Sequence, residues 1–156
     1  VLAILHDAEV EFILIGGLAA IVHGAARVTY DVDVVYARDE QNVRRLAACL
    51  ESHHPYLRGV PAGLPFVWDE PTIRSGLNFT LTTDIGDVDF LGEVAGGGNY
   101  KQLLPDSLEV SLFGIHCRCV TLPKLILLKR AAGRPKDLEA IAELQALLDE
   151  REKGSE

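Results

Sequence analysis

The sequence predicts an α/β (α+β) fold, a mixed sheet closed by C-terminal helices. Three observations carry this. Short apolar, β-branched runs alternate with helical periods over the first third of the chain. Two hairpin patterns fill the middle, and two helical stretches end it. With 156 residues, against about 150 per domain, a single domain is expected. Residues 1–121 are assigned to its core and 122–156 to a helical segment packed on the same domain.

Residues 2–9 read as the end of a helix. Residues 11–15 form a buried apolar strand stopped by Gly16-Gly17, and Leu18 to His23 a brief helix with Gly24 as its C-terminal cap. Residues 31–37 alternate and are β-branched, hence a strand. From Asp39 to His53, Val43, Leu46, Ala47 and Leu50 fall at helical spacing, with Asp39 as N-cap. Residues 54–75 hold four prolines and no clear period, which predicts a long loop or lid anchored by Phe66 and Trp68. Strands at 77–83 and 87–92 flank a turn at Asp84-Ile85-Gly86. Residues 95–99 are read as a flexible glycine loop. A second hairpin, 107–113 and 115–121, turns at Gly114. Helices at 122–132 and 135–149 follow, the second opening on Pro135.

Composition narrows the function classes. The net charge of −8 argues against a general nucleic-acid coat protein, whose affinity comes from neutralising phosphates. The longest nearly unbroken apolar stretch, Phe12 to Val22, is eleven residues, short of the ~20 that span a bilayer. Three cysteines make no disulfide framework. Cys117 and Cys119 beside His116 fall short of the paired ligands of a tetrahedral metal site. Reduced thiols in a cytoplasmic protein are the expectation. No signal peptide opens the chain. It starts at Val1 and contains no methionine, so a native start upstream is expected.

The chemistry is written in Ile15-Gly16-Gly17 followed by Asp31-Val32-Asp33-Val34. Residues two apart on a strand share a face, so Asp31 and Asp33 present neighbouring carboxylates. Held among apolar neighbours, two acids repel unless a cation lies between them. Hard oxygen donors suit Mg²⁺ or Mn²⁺. The glycine pair opens a helix whose N–H groups can approach a phosphate closely. A third acid, Asp89, lies between Val88 and Phe90 on a later strand, whereas Asp84 and Asp87 are explained by the turn.

Gly16-Gly17, Asp31-Val32-Asp33 and Val88-Asp89-Phe90, in that order, resemble the DNA polymerase beta-type nucleotidyltransferase superfamily. The run from His23 to Asp31 and the segments Leu122 to Leu125 and Gly133 to Asp137 resemble its small bacterial members. These are the minimal nucleotidyltransferases and those related to abortive infection and toxin–antitoxin systems. The resemblance implies a mixed-sheet nucleotidyltransferase fold and transfer of a nucleoside monophosphate from an NTP to a hydroxyl acceptor. It implies that Asp31, Asp33 and Asp89 bind Mg²⁺ or Mn²⁺ and catalyse, with Gly16 and Gly17 on the outgoing phosphates. Many members carry serine where this chain has Gly17. The alternative is a non-catalytic, antitoxin-like binding module on the same fold.

The remaining residues keep two readings. Arg27 and Thr29 bind phosphate or close the loop beside the acids. Five cations between Lys124 and Lys136 form a solvated helix face or send Lys124 or Lys129 to the triphosphate; Lys124 is taken as the candidate nucleotide-binding residue. His23 is expected to be packed or capping. The expected partners are an NTP and a small-molecule or protein acceptor, with a toxin–antitoxin partner protein possible. Long nucleic acid and membranes are disfavoured.

Overall fold

The computed structural model describes residues 1–26, 29 and 31–154. Helix α1 (Leu2–Asp7) leads into β1 (Phe12–Ile15), α2 (Gly16–Val22), β2 (Val32–Tyr36) and α3 (Glu40–Leu50). Then come β3 (Tyr56–Leu57), α4 (Glu70–Ser75) and the hairpin β4 (Asn78–Thr83) and β5 (Gly86–Leu91). A two-stranded ribbon, β6 (Glu93–Val94) and β7 (Gly98–Asn99), precedes α5 (Tyr100–Leu103). The hairpin β8 (Ser107–Leu112) and β9 (Ile115–Val120) and the helices α6 (Leu122–Ala132) and α7 (Pro135–Gly154) complete the chain.

Among the described residues, the main sheet has the order β3-β4-β5-β2-β1-β9-β8. β2 pairs antiparallel with β1 and parallel with β5, and β1 pairs parallel with β9. The sheet is therefore mixed, with α6 and α7 at the C-terminal end, as predicted. Its centre is buried on both faces: Phe12 to Ile15 are all buried. On β2 and β5, Val32, Val34 and Tyr36 share one face with Val88 and Phe90. Trp68 covers that face, stacked 5.7 Å from Phe90 and edge-on to Phe79 at 5.3 Å, and its indole N–H donates to Leu46 O of α3. Slipping either strand by one residue would send these side chains to the other face. Each buried one is worth about 1.5–3 kcal/mol, so the apolar face fixes which face Asp33 and Asp89 occupy.

Asn42, almost wholly buried, holds the far end of the central pair. It accepts from Glu11 N and donates to Glu11 O and Ala37 O, bridging the start of β1 and the residue after β2. Asp39 caps α3 by accepting from Asn42 N.

Four expectations change. The strand at 31–37 is shorter, so Asp31 stands just before β2. The lid at 54–75 contains β3 and α4, the latter capped by Asp69, and Trp68 is core rather than a lid anchor. The cap and the burying aromatic are local signals that the four prolines obscured. The glycines at 96–98 belong to a packed ribbon: a Cβ on Gly97 would stand 2.8 Å from Leu128, and α5 follows with an Asn99–Gln102 capping box. The last helix runs past 149, through Gly154.

Helix α7 is anchored on the segment after α2. Ala26 N donates to Glu143, and His23 is buried with Nε2 donating to Val120 O and Nδ1 accepting from Arg151. Acceptance at Nδ1 requires the neutral imidazole, and burial, helped by the Arg151 charge and opposed by the Val120 hydrogen bond, holds its pKa below 6.5. The protonated form is thus disfavoured in the folded state. This contribution is present above about pH 6.5 and is lost as pH falls through the lowered value. In urea unfolding, His23→Gln should be less stable than wild type near neutrality and lose less on acidification. Parallel pH profiles would contradict this anchor.

Gly16 joins β1 to α2 with φ of +70°, and a Cβ there would lie 2.2 Å from Asp33 Oδ2. Gly16→Ala should cost roughly 2–4 kcal/mol, combining left-handed backbone with overpacking. Gly59, at φ +77° with nothing within 4 Å, provides the control. Gly59→Ala should lose only about 1 kcal/mol from the backbone; equal losses for the two would contradict the close approach to Asp33.

Candidate active site

At the C-terminal end of β1 the chain leaves the sheet through Gly16, and β2 re-enters it beside the same point, because Ile15 pairs with Asp33. The next strand over, β5, runs parallel to β2 and sets Asp89 opposite Asp33. Alternation does the rest. Val88 and Phe90 point into the core, so Asp87 and Asp89 face the other way. Asp33 and Asp89 thereby meet on the face away from Trp68, in a cavity of about 580 Å³ that Gly16, Gly17, Thr29 and Asp31 also line.

The tightest acid pair is thus Asp33 with Asp89, across two strands, rather than Asp31 with Asp33 along one. Burial, the Asp89 charge and a hydrogen bond to Asp89 push the Asp33 carboxyl from 3.8 up to about 6. Asp31 adds to the push and Lys129 opposes it. Ionising Asp33 therefore costs about 3 kcal/mol more than ionising a free aspartate. A raised carboxylate pKa means stability that is complete at low pH and lost as pH rises through about 6. The apolar face of β2 and β5 holds the pair together against that cost.

Asp89 has another neighbour. Arg58, immediately after β3, places Nη2 3.0 Å from Asp89 Oδ1 and Nε 3.3 Å from Asp87 Oδ2. Asp89 Oδ1 is buried and, although ion-paired with Arg58, completes no hydrogen bond. Oxygen donors of this kind suit a hard divalent cation. Among the described residues, no group of three or more His, Cys, Asp or Glu side chains is drawn together closely enough to hold an ion. What is assembled is the Asp33–Asp89 pair, with Asp31 exposed at the mouth.

The opposite wall is basic. Lys129 of α6, with Arg134 and Lys136 at the α6–α7 junction, lines the cavity. They are arranged around Asp137, only 1% exposed, which accepts from Arg134 Nε at 2.7 Å and lies 3.7 Å from Lys129 Nζ. Asp137 and, more weakly, Asp33 and Asp89 hold the Arg134 guanidinium above its ordinary pKa. The cavity lining thus carries four carboxylates (Asp31, Asp33, Asp89 and Asp137) and four cations (Arg58, Lys129, Arg134 and Lys136).

Of the residues picked from sequence, Gly16, Gly17, Thr29, Asp31, Asp33 and Asp89 come together. Arg27 lies outside the described residues. Lys124 does not line the cavity; it pairs with Asp106 at 3.6 Å. Lys124 stands in the first turn of α6, whereas Leu125, Leu128, Lys129 and Ala132 of the same helix line the site. Arg134 and Lys136 were visible only as members of a charge run. Arg58 gave no signal, because its partners lie two strands away. A larger cavity of about 700 Å³, bounded by Tyr36, Arg38 and Tyr100, contains none of the predicted site residues.

At Gly17 a side chain would be crowded: its Cβ would stand 3.1 Å from both the methyl and the hydroxyl of Thr29. Thr29 fills the space beside Gly17 and brings a hydroxyl there.

No family model matches the chain, and no curated protein matches it in sequence. Solved structures do. The crystal structure of the lincosamide antibiotic adenylyltransferase LnuA with lincomycin bound superposes with a TM-score of 0.61 at 16% identity, over 94% of this chain and 92% of that one. An antigenic nucleotidyltransferase-like protein from Paracoccidioides brasiliensis gives 0.53 at 17% identity, over 92% of this chain and 71% of that one. The fold reached from the strand order is the fold of these nucleotidyltransferase structures.

Proposed function

We propose that the protein is a metal-dependent nucleotidyltransferase, moving a nucleoside monophosphate from an NTP to a hydroxyl group and releasing pyrophosphate. The observation that carries this reading is the Asp33–Asp89 pair facing Lys129, Arg134 and Lys136 across one cavity. A triphosphate needs cations along its length and tolerates carboxylates only through a bridging metal. Both halves of that requirement face the same space. Asp31, Asp33 and Asp89 would hold Mg²⁺ or Mn²⁺. When bound, the metal neutralises the developing charge and makes the acceptor hydroxyl easier to deprotonate.

The chain's own groups then divide the work. Gly16 and Gly17, bare of side chains, let phosphates lie against the backbone, with the Thr29 hydroxyl beside them. Lys129, Arg134 and Lys136 would take the β- and γ-phosphates and stabilise pyrophosphate as it leaves. Asp89, whose Oδ1 is ion-paired with Arg58 but completes no hydrogen bond, would receive the acceptor proton. The likeness to an adenylyltransferase crystallised with lincomycin supports a small hydroxylated acceptor over a protein side chain. Three free thiols, one buried and two half-buried, fit a reducing cytoplasm. The alternative, a non-catalytic antitoxin-like module, drew its support from the hydroxyl missing at Gly17 and from the small size of the chain. Thr29 offers one at the same place, so the catalytic reading is preferred.

Incubating cell extract with α-labelled ATP, GTP, CTP and UTP and Mg²⁺ tests turnover without guessing the acceptor. Label should pass to a small molecule from one of the four. Asp33→Asn should weaken Mn²⁺-dependent binding of that nucleotide about 100-fold or more. Asp89→Asn should bind it within a few-fold of wild type yet lose about 10³ in transfer, the scale of one lost transition-state group. Wild-type transfer by either variant would sink the reading.

A further inference from the structure

Arg58 is unexplained by any step above, and three observations single it out. It is the one residue of the proline-rich segment 54–75 among those lining the cavity. Its side chain crosses β4 to reach two carboxylates on β5, Asp87 and Asp89. Both contacts are close but incomplete: Asp89 Oδ1, 3.0 Å from Nη2, and Arg58 Nε, 3.3 Å from Asp87 Oδ2, are buried atoms that complete no hydrogen bond.

We infer that Arg58 is a built-in counter-cation for Asp89, which a divalent ion must displace before the carboxylate can serve. This positioning role rests on the nucleotidyltransferase reading and adds a control to its metal site. A buried carboxylate without a cation is costly, and beside Asp33 it is doubly so. The guanidinium supplies the missing charge while the site holds no metal. It is well anchored elsewhere: Arg58 N donates to Thr80 O at 3.0 Å, and Nη2 donates to Leu81 O at 2.6 Å. Asp87, at 3.3 Å from Nε, is a second carboxylate to which it can transfer. Released from Asp89, Arg58 therefore keeps three partners, and its charge stays beside the cavity. A guanidinium cannot lose its proton in the accessible pH range, so it can leave Asp89 only by moving. The device responds to the metal and not to pH. Because β3 is only two residues long and lies at the sheet edge, its end can shift without disturbing the central strands.

Binding of Mn²⁺ alone, followed by electron paramagnetic resonance with neither nucleotide nor turnover, tests this directly. Arg58→Gln should bind Mn²⁺ roughly ten-fold tighter than wild type, the scale on which a neighbouring arginine shifts a carboxylate. Arg58→Lys, which keeps a cation in place, should stay near wild type. Arg58→Met, which keeps the apolar stem, serves where the glutamine variant does not fold. Removing a merely structural arginine would loosen the site and weaken binding. Equal or weaker Mn²⁺ affinity without the guanidinium therefore overturns the inference and leaves the proposed reaction standing. Failure of wild type and variants alike to bind Mn²⁺, with or without NTP, overturns the inference together with the metal-dependent reading.

Discussion

Two parallel strands bring Asp33 and Asp89 into register at the middle of the sheet, and a hydrogen bond between their carboxyls is one reason Asp33 keeps its proton to about pH 6. Everything around the cavity is arranged about that contact. The chain keeps it because the same two strands turn Val32, Val34, Tyr36, Val88 and Phe90 toward Trp68 on their other face. The free energy of burying those side chains exceeds the roughly 3 kcal/mol extra cost of ionising Asp33. Electrostatic stress of this kind is what a cation relieves, and it is why the proposed metal and nucleotide site lies here.

The surroundings answer the same stress by different means. Gly16 has no side chain because any would strike the Asp33 carboxylate. Arg58 brings a positive charge to Asp89 from outside the central strands. Lys129 lowers the Asp33 pKa against the push of its acidic neighbours, and Arg134 is itself held charged in part by Asp33 and Asp89. Asp137 in turn keeps Arg134 and Lys129 gathered on the far wall. The result is a cavity in which negative and positive walls face each other, with room between them for a molecule carrying phosphates.

Much of the fold was legible in the sequence. Periodicity and caps located the β1–α2–β2–α3 succession, both hairpins and the terminal helices, since each is a local pattern. The segment 54–75 was not legible, because four prolines mask a six-residue helix and a two-residue strand whose existence depends on pairing with β4. Asp31, Asp33, Asp89 and the glycine pair stood out as residue types in order along the chain. Their geometry did not: the closest acids are Asp33 and Asp89, and that follows from the parallel pairing of β2 with β5, which no local spacing encodes. The choice between Lys124 and Lys129 was equally non-local. A helix face is decided by what packs on it, and α6 turns Lys129 to the cavity and Lys124 to Asp106.

The central claim is that its neighbours raise the Asp33 pKa to about 6 and that a divalent cation joining them reverses the shift. Site-resolved carboxyl NMR, following Asp33 through a pH titration with and without Mg²⁺, tests it most directly. Without Mg²⁺ the account predicts a midpoint near about 6. With Mg²⁺ the midpoint should fall toward or below the ordinary aspartate value, as the ion favours the charged form. An Asp33 that titrates as an ordinary aspartate in both conditions, indifferent to the metal, would contradict the account.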